Sequence, residues 1–186
     1  MRADAARRRA ELVRAARHLF AADGGDVALE AVADAAGVGI ATLYRNFPSR
    51  AALAEEVALA ILRAVRESAD AALAAFGRDP ARAWREYVLR LVDLELGALS
   101  AALAEHLTDD LSAPVRAAQA ETLAGVADVL AAGRRAGLVR DDLAPLELVL
   151  GIGLVTRPLP AAVARDVPHL RARMVRVLLD GMRPDR

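Results

Sequence analysis

Residues 35 to 50 read Ala35-Ala36-Gly37-Val38-Gly39-Ile40-Ala41-Thr42-Leu43-Tyr44-Arg45-Asn46-Phe47-Pro48-Ser49-Arg50, and the fold turns on how this stretch is read. A short apolar-periodic segment, Leu29 to Ala36, runs into Gly37, which is free to take the left-handed conformation that ends a helix and turns the chain. A second short helix follows, from about Ile40 to Asn46. Ala33 and Ala36 are small enough for the two helices to cross closely, and Val38 and Leu43 supply the apolar contacts that hold the crossing. The free face of the second helix carries Gly39, Ala41, Thr42, Arg45 and Asn46. The outline is a helix-turn-helix whose second helix is built to lie in a groove.

The flanks continue the pattern. Upstream, Leu12, Ala16, Leu19 and Phe20 recur on one face of a helix expected from about Ala5 to Ala22, stopped by Asp23-Gly24-Gly25-Asp26. Downstream, Pro48 cannot continue the second helix with a normal hydrogen bond. Ser49 is placed to cap a long helix from about Arg50 to Phe76, with Leu53, Val57, Ile61 and Ala64 as its apolar stripe.

The run from Ala36 to Arg50 resembles the DNA-binding signature of the TetR family of bacterial transcriptional repressors. Its marks are the Ala-Gly-Val turn, the Leu-Tyr pair late in the second helix, the Phe-Pro after it, and a basic residue opening the next helix. The resemblance implies an all-α fold: an N-terminal three-helix helix-turn-helix DNA-binding domain over residues 1–49, joined to a helical ligand-binding and dimerisation domain over 50–186. It implies a homodimer on double-stranded DNA with a near-palindromic operator, and release by an unidentified small molecule. The sequence departs from the family where capping serines or threonines are common, at Ala28 and Gly39, so backbone amides around Gly39, Ile40 and Ala41 are expected to take more of the phosphate contact.

Reading a DNA sequence requires phosphate contacts that fix register and base-edge contacts that discriminate. For the first, Tyr44 offers a hydroxyl, with aromatic packing between the first and third helices as the alternative, and Arg50 a charge, while Arg7 and Arg8, beside Arg9, either reach phosphates or form a solvated tail. For the second, Arg45 suits a guanine edge, Asn46 an adenine edge, and Thr42 a thymine methyl or a phosphate. Leu43 and Phe47 are expected in the core.

Composition agrees. Alanine, leucine and valine dominate a chain that is 55% hydrophobic and only 3% aromatic, which favours helices. The formal net charge is zero, which argues against an indiscriminate polyanion binder, but residues 1–50 hold eight arginines against six acids. All 25 basic residues are arginine. The absence of cysteine excludes disulfides and thiolate chemistry. With no signal-peptide pattern, and with Leu148 to Thr156 the longest apolar run, a cytoplasmic protein without membrane spans is expected.

Beyond Phe76, Gly77-Arg78-Asp79-Pro80 is a break, with Asp79 as cap and Pro80 opening a helix over Ala81–Leu96. Gly97 should separate this from a helix at Ala98–Leu107. Another helix follows from Ser112 and Pro114 to Ala136, closed by Gly137 with Leu138 folding back. Two more are expected, Leu146–Thr156 and Pro168–Met182, across the break Arg157-Pro158-Leu159-Pro160. A ligand pocket is expected around Trp84, Tyr87, Leu91, Leu103, His106 and Leu107, because most of the body's large aromatics lie here; plain core is the alternative. Dimer contacts are assigned to Leu148, Val149, Ile152 and Leu154, with Gly151 and Gly153 allowing close approach, and to Leu170, Met174 and Val177; for the α-helical run at 148–154 intramolecular core is the alternative.

No enzymatic reading finds support. His18, His106 and His169 lack metal-ligand spacing, no glycine loop cradles phosphate, and no serine sits in a nucleophile elbow. Catalytic residues, metal and cofactors are expected to be absent. The rival to a regulator is a helical small-molecule-binding or protein-interaction module that has lost DNA binding.

Overall fold

The computed structural model describes residues 2–23, 27–104 and 111–184. Among them are ten helices and no strand: α1 (Arg2–Asp23), α2 (Leu29–Ala35), α3 (Ile40–Asn46), α4 (Arg50–Phe76), α5 (Pro80–Asp93), α6 (Leu96–Ala104), α7 (Ala113–Arg135), α8 (Pro145–Val155), α9 (Ala161–Asp166) and α10 (Leu170–Gly181). The short helix α9 was not anticipated; it follows the Arg157–Pro160 break in a segment whose apolar residues show no helical stripe long enough to read.

Local chemistry sets most boundaries. Gly37 sits at φ +68° and the Val38 amide donates to the Ala33 carbonyl at 3.0 Å, the bond that closes a glycine-terminated helix. Gly137, also at φ +68°, repeats the arrangement, with the Leu138 amide donating to Gly133 at 2.9 Å. Ser49 Oγ accepts from the Ala52 amide at 3.1 Å and so caps α4. Asp79 accepts from the Arg82 amide at 3.0 Å, with Pro80 next to it opening α5.

Gly97 is a correction to the sequence reading. The break between α5 and α6 falls earlier, at Leu94 and Glu95, where Glu95 takes the left-handed conformation at φ +54°. Gly97 itself lies inside α6, because the end of α8 presses against it: a Cβ there would stand 1.9 Å from the Gly153 carbonyl oxygen and 2.6 Å from the Arg157 nitrogen. Its amide donates to Thr156 Oγ1 at 2.9 Å, and the same hydroxyl donates to the Ile152 carbonyl.

The chain divides into two compact units, residues 1–61 with 98–116, and residues 62–97 with 117–186. The first unit is built on a core of Leu12, Ala16, Phe20, Val32, Ala33, Leu43, Phe47, Leu53 and Val57, joined by Leu99 and Leu103 from α6. In the second, α8 packs against α5 and α10, and Leu91, Leu130, Leu148 and Ile152 are among the buried side chains. No helix among the described residues is long and apolar enough to cross a membrane.

Candidate nucleic-acid interface

The short helix α2 and the long helices α1 and α4 share with α3 the core that positions it. Its inner side is fixed by Leu43 and by Phe47 at its end, both essentially without exposed surface. The α2–α3 turn is held by the Gly37 cap, and Ala33, 1% exposed, lets the helices cross as the sequence suggested. The outer side then carries Gly39, Ala41, Tyr44 and Arg45 exposed, with Thr42 and Asn46 half-buried. Tyr44 is 48% exposed, so the aromatic packing at this end of α3 belongs to Phe47.

The polar side chains of this face are ordered by one another. Arg45 Nε donates to the Ala41 carbonyl at 3.1 Å and a terminal nitrogen donates to Thr42 Oγ1 at 3.2 Å. Asn46 Nδ2 donates to the Thr42 carbonyl at 2.8 Å. Both side chains therefore lie back along α3. The Ile40 side chain is half-buried against the first unit's core. Gly39 begins α3 with no side-chain cap, and Ala28 likewise begins α2.

The N-terminal arginines do not behave as one run. Arg7 pairs with Asp4 at 3.2 Å on the surface and Arg8 is exposed, whereas Arg9 is engaged inward. One Arg9 nitrogen donates to the Asn46 carbonyl at 3.0 Å, the other to Glu56 Oε2 at 2.6 Å, and the guanidinium lies 4.3 Å from the Phe47 ring centroid. Sequence reasoning missed this role, because the partners stand 37 and 47 positions away and leave no local signal. Arg50, at the start of α4, is half-buried.

These features coincide with sequence similarity at both ends of the chain. The profile of bacterial regulatory proteins of the tetR family matches residues 12–57, and that of the transcriptional regulator SbtR-like C-terminal domain matches residues 79–184. The chain belongs to the TetR family. Within it, a TetR transcription regulatory protein from Mycobacterium vanbaalenii is 34% identical, with 98% of each chain covered and a TM-score of 0.68. The TetR transcriptional regulator SCO0520 from Streptomyces coelicolor is 27% identical over 96% of this chain and 99% of its own, with a TM-score of 0.69. CprB from S. coelicolor A3(2), 24% identical over 98% of this chain and 91% of its own with a TM-score of 0.59, shares the fold. A comparison with curated proteins returns no match. Family membership makes this chain a DNA-binding transcriptional regulator, with the helix-turn-helix at its N-terminal end and a helical C-terminal domain.

The expected ligand residues are only partly brought together. Trp84 and Tyr87 sit with ring centroids 6.1 Å apart, and with Leu91 they are buried in the second unit. Leu103 instead belongs to the first unit's core, because α6 delivers it there; His106 and Leu107 lie outside the described residues. Trp84 borders a cleft of about 720 Å³ that also touches Arg85, Leu138, Arg176 and Leu179. Tyr87 borders a cavity of about 70 Å³ with Ser68, Glu86 and Arg90, and Leu91 lines neither opening. The Tyr87 hydroxyl is buried with no hydrogen-bond partner among the described residues, and burial pushes its pKa well up.

The dimer assignments divide in the same way. Leu148 and Ile152 are 1% and 0% exposed within the single chain, so they offer a partner no surface; they fill the second unit's own core. A Cβ at Gly153 would stand 4.0 Å from the chain's own Gly97 and one at Gly151 3.7 Å from Leu178, so both glycines also lie near the chain's own residues. The exposed apolar residues of α8 are Leu146, Leu150 and Leu154, spaced four apart, while Val149 is half-buried. On α10, Met174 and Val177 are exposed and Leu170 is half-buried. Leu146 and Leu150 were missed because an almost uniformly apolar helix shows no preferred face in sequence.

Proposed function

We propose that the protein is a homodimeric repressor that binds a near-palindromic operator and is released from it by a small molecule bound in its C-terminal domain. The observation that carries the reading is the outer face of α3: an exposed tyrosine, an arginine and an asparagine on a helix whose other side is sealed by Leu43 and Phe47. In this reading Tyr44 and Arg50 contact phosphates with Arg7, Arg8 and amides around Gly39 and Ala41, while Arg45, Asn46 and Thr42 read bases. One such module buries too little surface for tight specific binding, so two must act together.

The apolar stripe Leu146, Leu150, Leu154 of α8, beside Met174 and Val177 of α10, supports pairing of two copies. Stripes of this kind on a helical face mark an interaction site. A two-fold pair places half-site centres about one helical turn apart, roughly 34–36 Å. Support for a ligand comes from the cleft beside Trp84, whose volume lies within the roughly 300–1,000 Å³ of small-molecule sites. A ligand favouring the body conformation that holds the two α3 helices at the wrong spacing shifts the population away from DNA.

The test is an electrophoretic mobility shift with DNA upstream of the protein's own coding sequence, titrated in salt against random competitor, and extended to selection from a random pool. A salt-sensitive complex that outcompetes random DNA is expected. Selection that enriches nothing overturns the reading and favours the rival of a helical binding module without DNA recognition, which the uncapped start of α3 at Gly39 otherwise supports.

A further inference from the structure

Arg9 ties together three pieces of the first unit. Asn46 is the last residue of α3, so its carbonyl has no partner within the helix, and the Arg9 guanidinium supplies one at 3.0 Å. A cation at a helix C-terminus also complements the helix dipole. The opposite edge of the same guanidinium bonds Glu56 of α4 at 2.6 Å, and its face covers the Phe47 ring where α3 stops. Phe47 is 1% exposed, and the Glu56 side chain retains only 20% of its exposure, so the arrangement is partly sheltered from water. A planar fork satisfies all three partners at once; an ammonium on a flexible stem cannot.

We infer that Arg9 is a positioning residue for sequence reading: it clamps the C-terminal end of α3 between α1 and α4 and does not contact phosphate. The inference rests on α3 being the reading helix. Arg45 and Asn46 occupy the clamped end, and bidentate base contacts tolerate little misalignment, whereas phosphate contacts are forgiving. Loosening the clamp therefore reduces discrimination more than general affinity. Glu56 also gives the clamp a route for regulation, since α4 is one continuous helix whose turns beyond Ile61 belong to the second unit. A movement of α4 that withdraws Glu56 removes the anion that orients Arg9, and with it the hold on Asn46.

The experiment compares the full-length protein with Arg9→Lys, Glu56→Gln and Arg9→Ala, each against a selected operator and random DNA across a salt series, with thermal unfolding alongside. Arg9→Lys and Glu56→Gln preserve volume and keep the test available if Arg9→Ala fails to fold. The expected result is a loss of roughly tenfold in the operator-to-random ratio for both, about one charge-assisted hydrogen bond, with random-DNA affinity and salt slope unchanged. Equal losses on operator and random DNA in Arg9→Lys and Glu56→Gln, or a slope reduced by about one in Arg9→Ala, make Arg9 a phosphate contact and overturn the inference. So does an unchanged ratio. A wild-type protein that enriches no sequence overturns the operator reading itself, which separates the two failures.

Discussion

The outer face of α3 and the outer face of α8 with α10 are both exposed, yet they are finished differently. On α3 every large apolar side chain but Tyr44 is turned inward, and the polar side chains left outside bond to the helix's own carbonyls and hydroxyls. On α8 and α10 leucines, a methionine and a valine stand in the open beside a fully packed interior. The first face is complete in water and its partner must compete with water for it. The second is incomplete in water, and its apolar surface is stabilised only when another apolar surface covers it. The difference teaches that the two faces should respond to opposite perturbations: salt and polar substitutions for one, charge insertion for the other.

The largest effect should come from placing a charge on the apolar face. Leu154→Asp removes a side chain whose burial contributes about 1.5–3 kcal/mol, and a two-fold pair loses it twice. Sedimentation equilibrium should show dimer dissociation strengthened by about a hundredfold or more. A protein whose self-association is indifferent to this change does not pair through α8. Leu148→Asp should behave otherwise, unfolding the chain instead of separating intact protomers, because Leu148 lies inside.

Next in size is Gly97→Ala, which touches neither face. Its Cβ would collide with the Gly153 carbonyl and Arg157 amide, backbone atoms that cannot swing away. A loss of about 3 kcal/mol is expected, read in denaturant melts, with α8 displaced and association weakened in consequence. A melt matching the wild type would mean that α6 and the end of α8 are less tightly joined.

On the α3 side, Arg50→Ala should weaken binding to all DNA alike and lower the salt slope by about one, while Arg45→Ala should relax discrimination at particular base pairs, at a cost of about 1–3 kcal/mol each. Uniform weakening by Arg45→Ala would move that residue to the phosphate contacts and make this face less selective than proposed.

The smallest effect concerns Tyr87, a polar group buried in the second unit. Its hydroxyl, buried without a partner among the described residues, carries a desolvation cost, so Tyr87→Phe should stabilise by about 1 kcal/mol and raise the melting temperature by about 2–4 °C. Burial raises its folded-state pKa above the unfolded value of about 10. The unfolded chain then releases the proton first, so the wild type loses stability as pH climbs above about 10. Melts between pH 8 and 11 should show that loss reduced in Tyr87→Phe; identical slopes would place the hydroxyl in contact with solvent.

Much of the α3 face is legible in the sequence, because its information is local. Gly37, Ser49, Asp79 and Gly137 each act within three to five residues, so their caps appear in the structure where the sequence put them, and α3 and α4 keep the expected bounds. Leu43 and Phe47 were assignable to the core because a seven-residue helix has a clear inside and outside. The same reasoning failed on α8, where nearly every side chain is apolar and periodicity selects no side; it chose Leu148 and Ile152, which are interior, and passed over Leu146 and Leu150, which are exposed.

By itself the sequence determined the helical class, the helix-turn-helix, most helix ends, and the family signature, because each depends on residues a few positions apart. Only the tertiary structure decided that Arg9 serves Asn46 and Glu56, that Gly97 exists to admit Gly153, that Leu103 packs with α1 to α4, and which leucines of α8 face outward. The physical reason is common to all four. Each rests on contacts between segments tens of residues apart, whose meeting is set by how whole helices pack and not by any preference of the residues themselves.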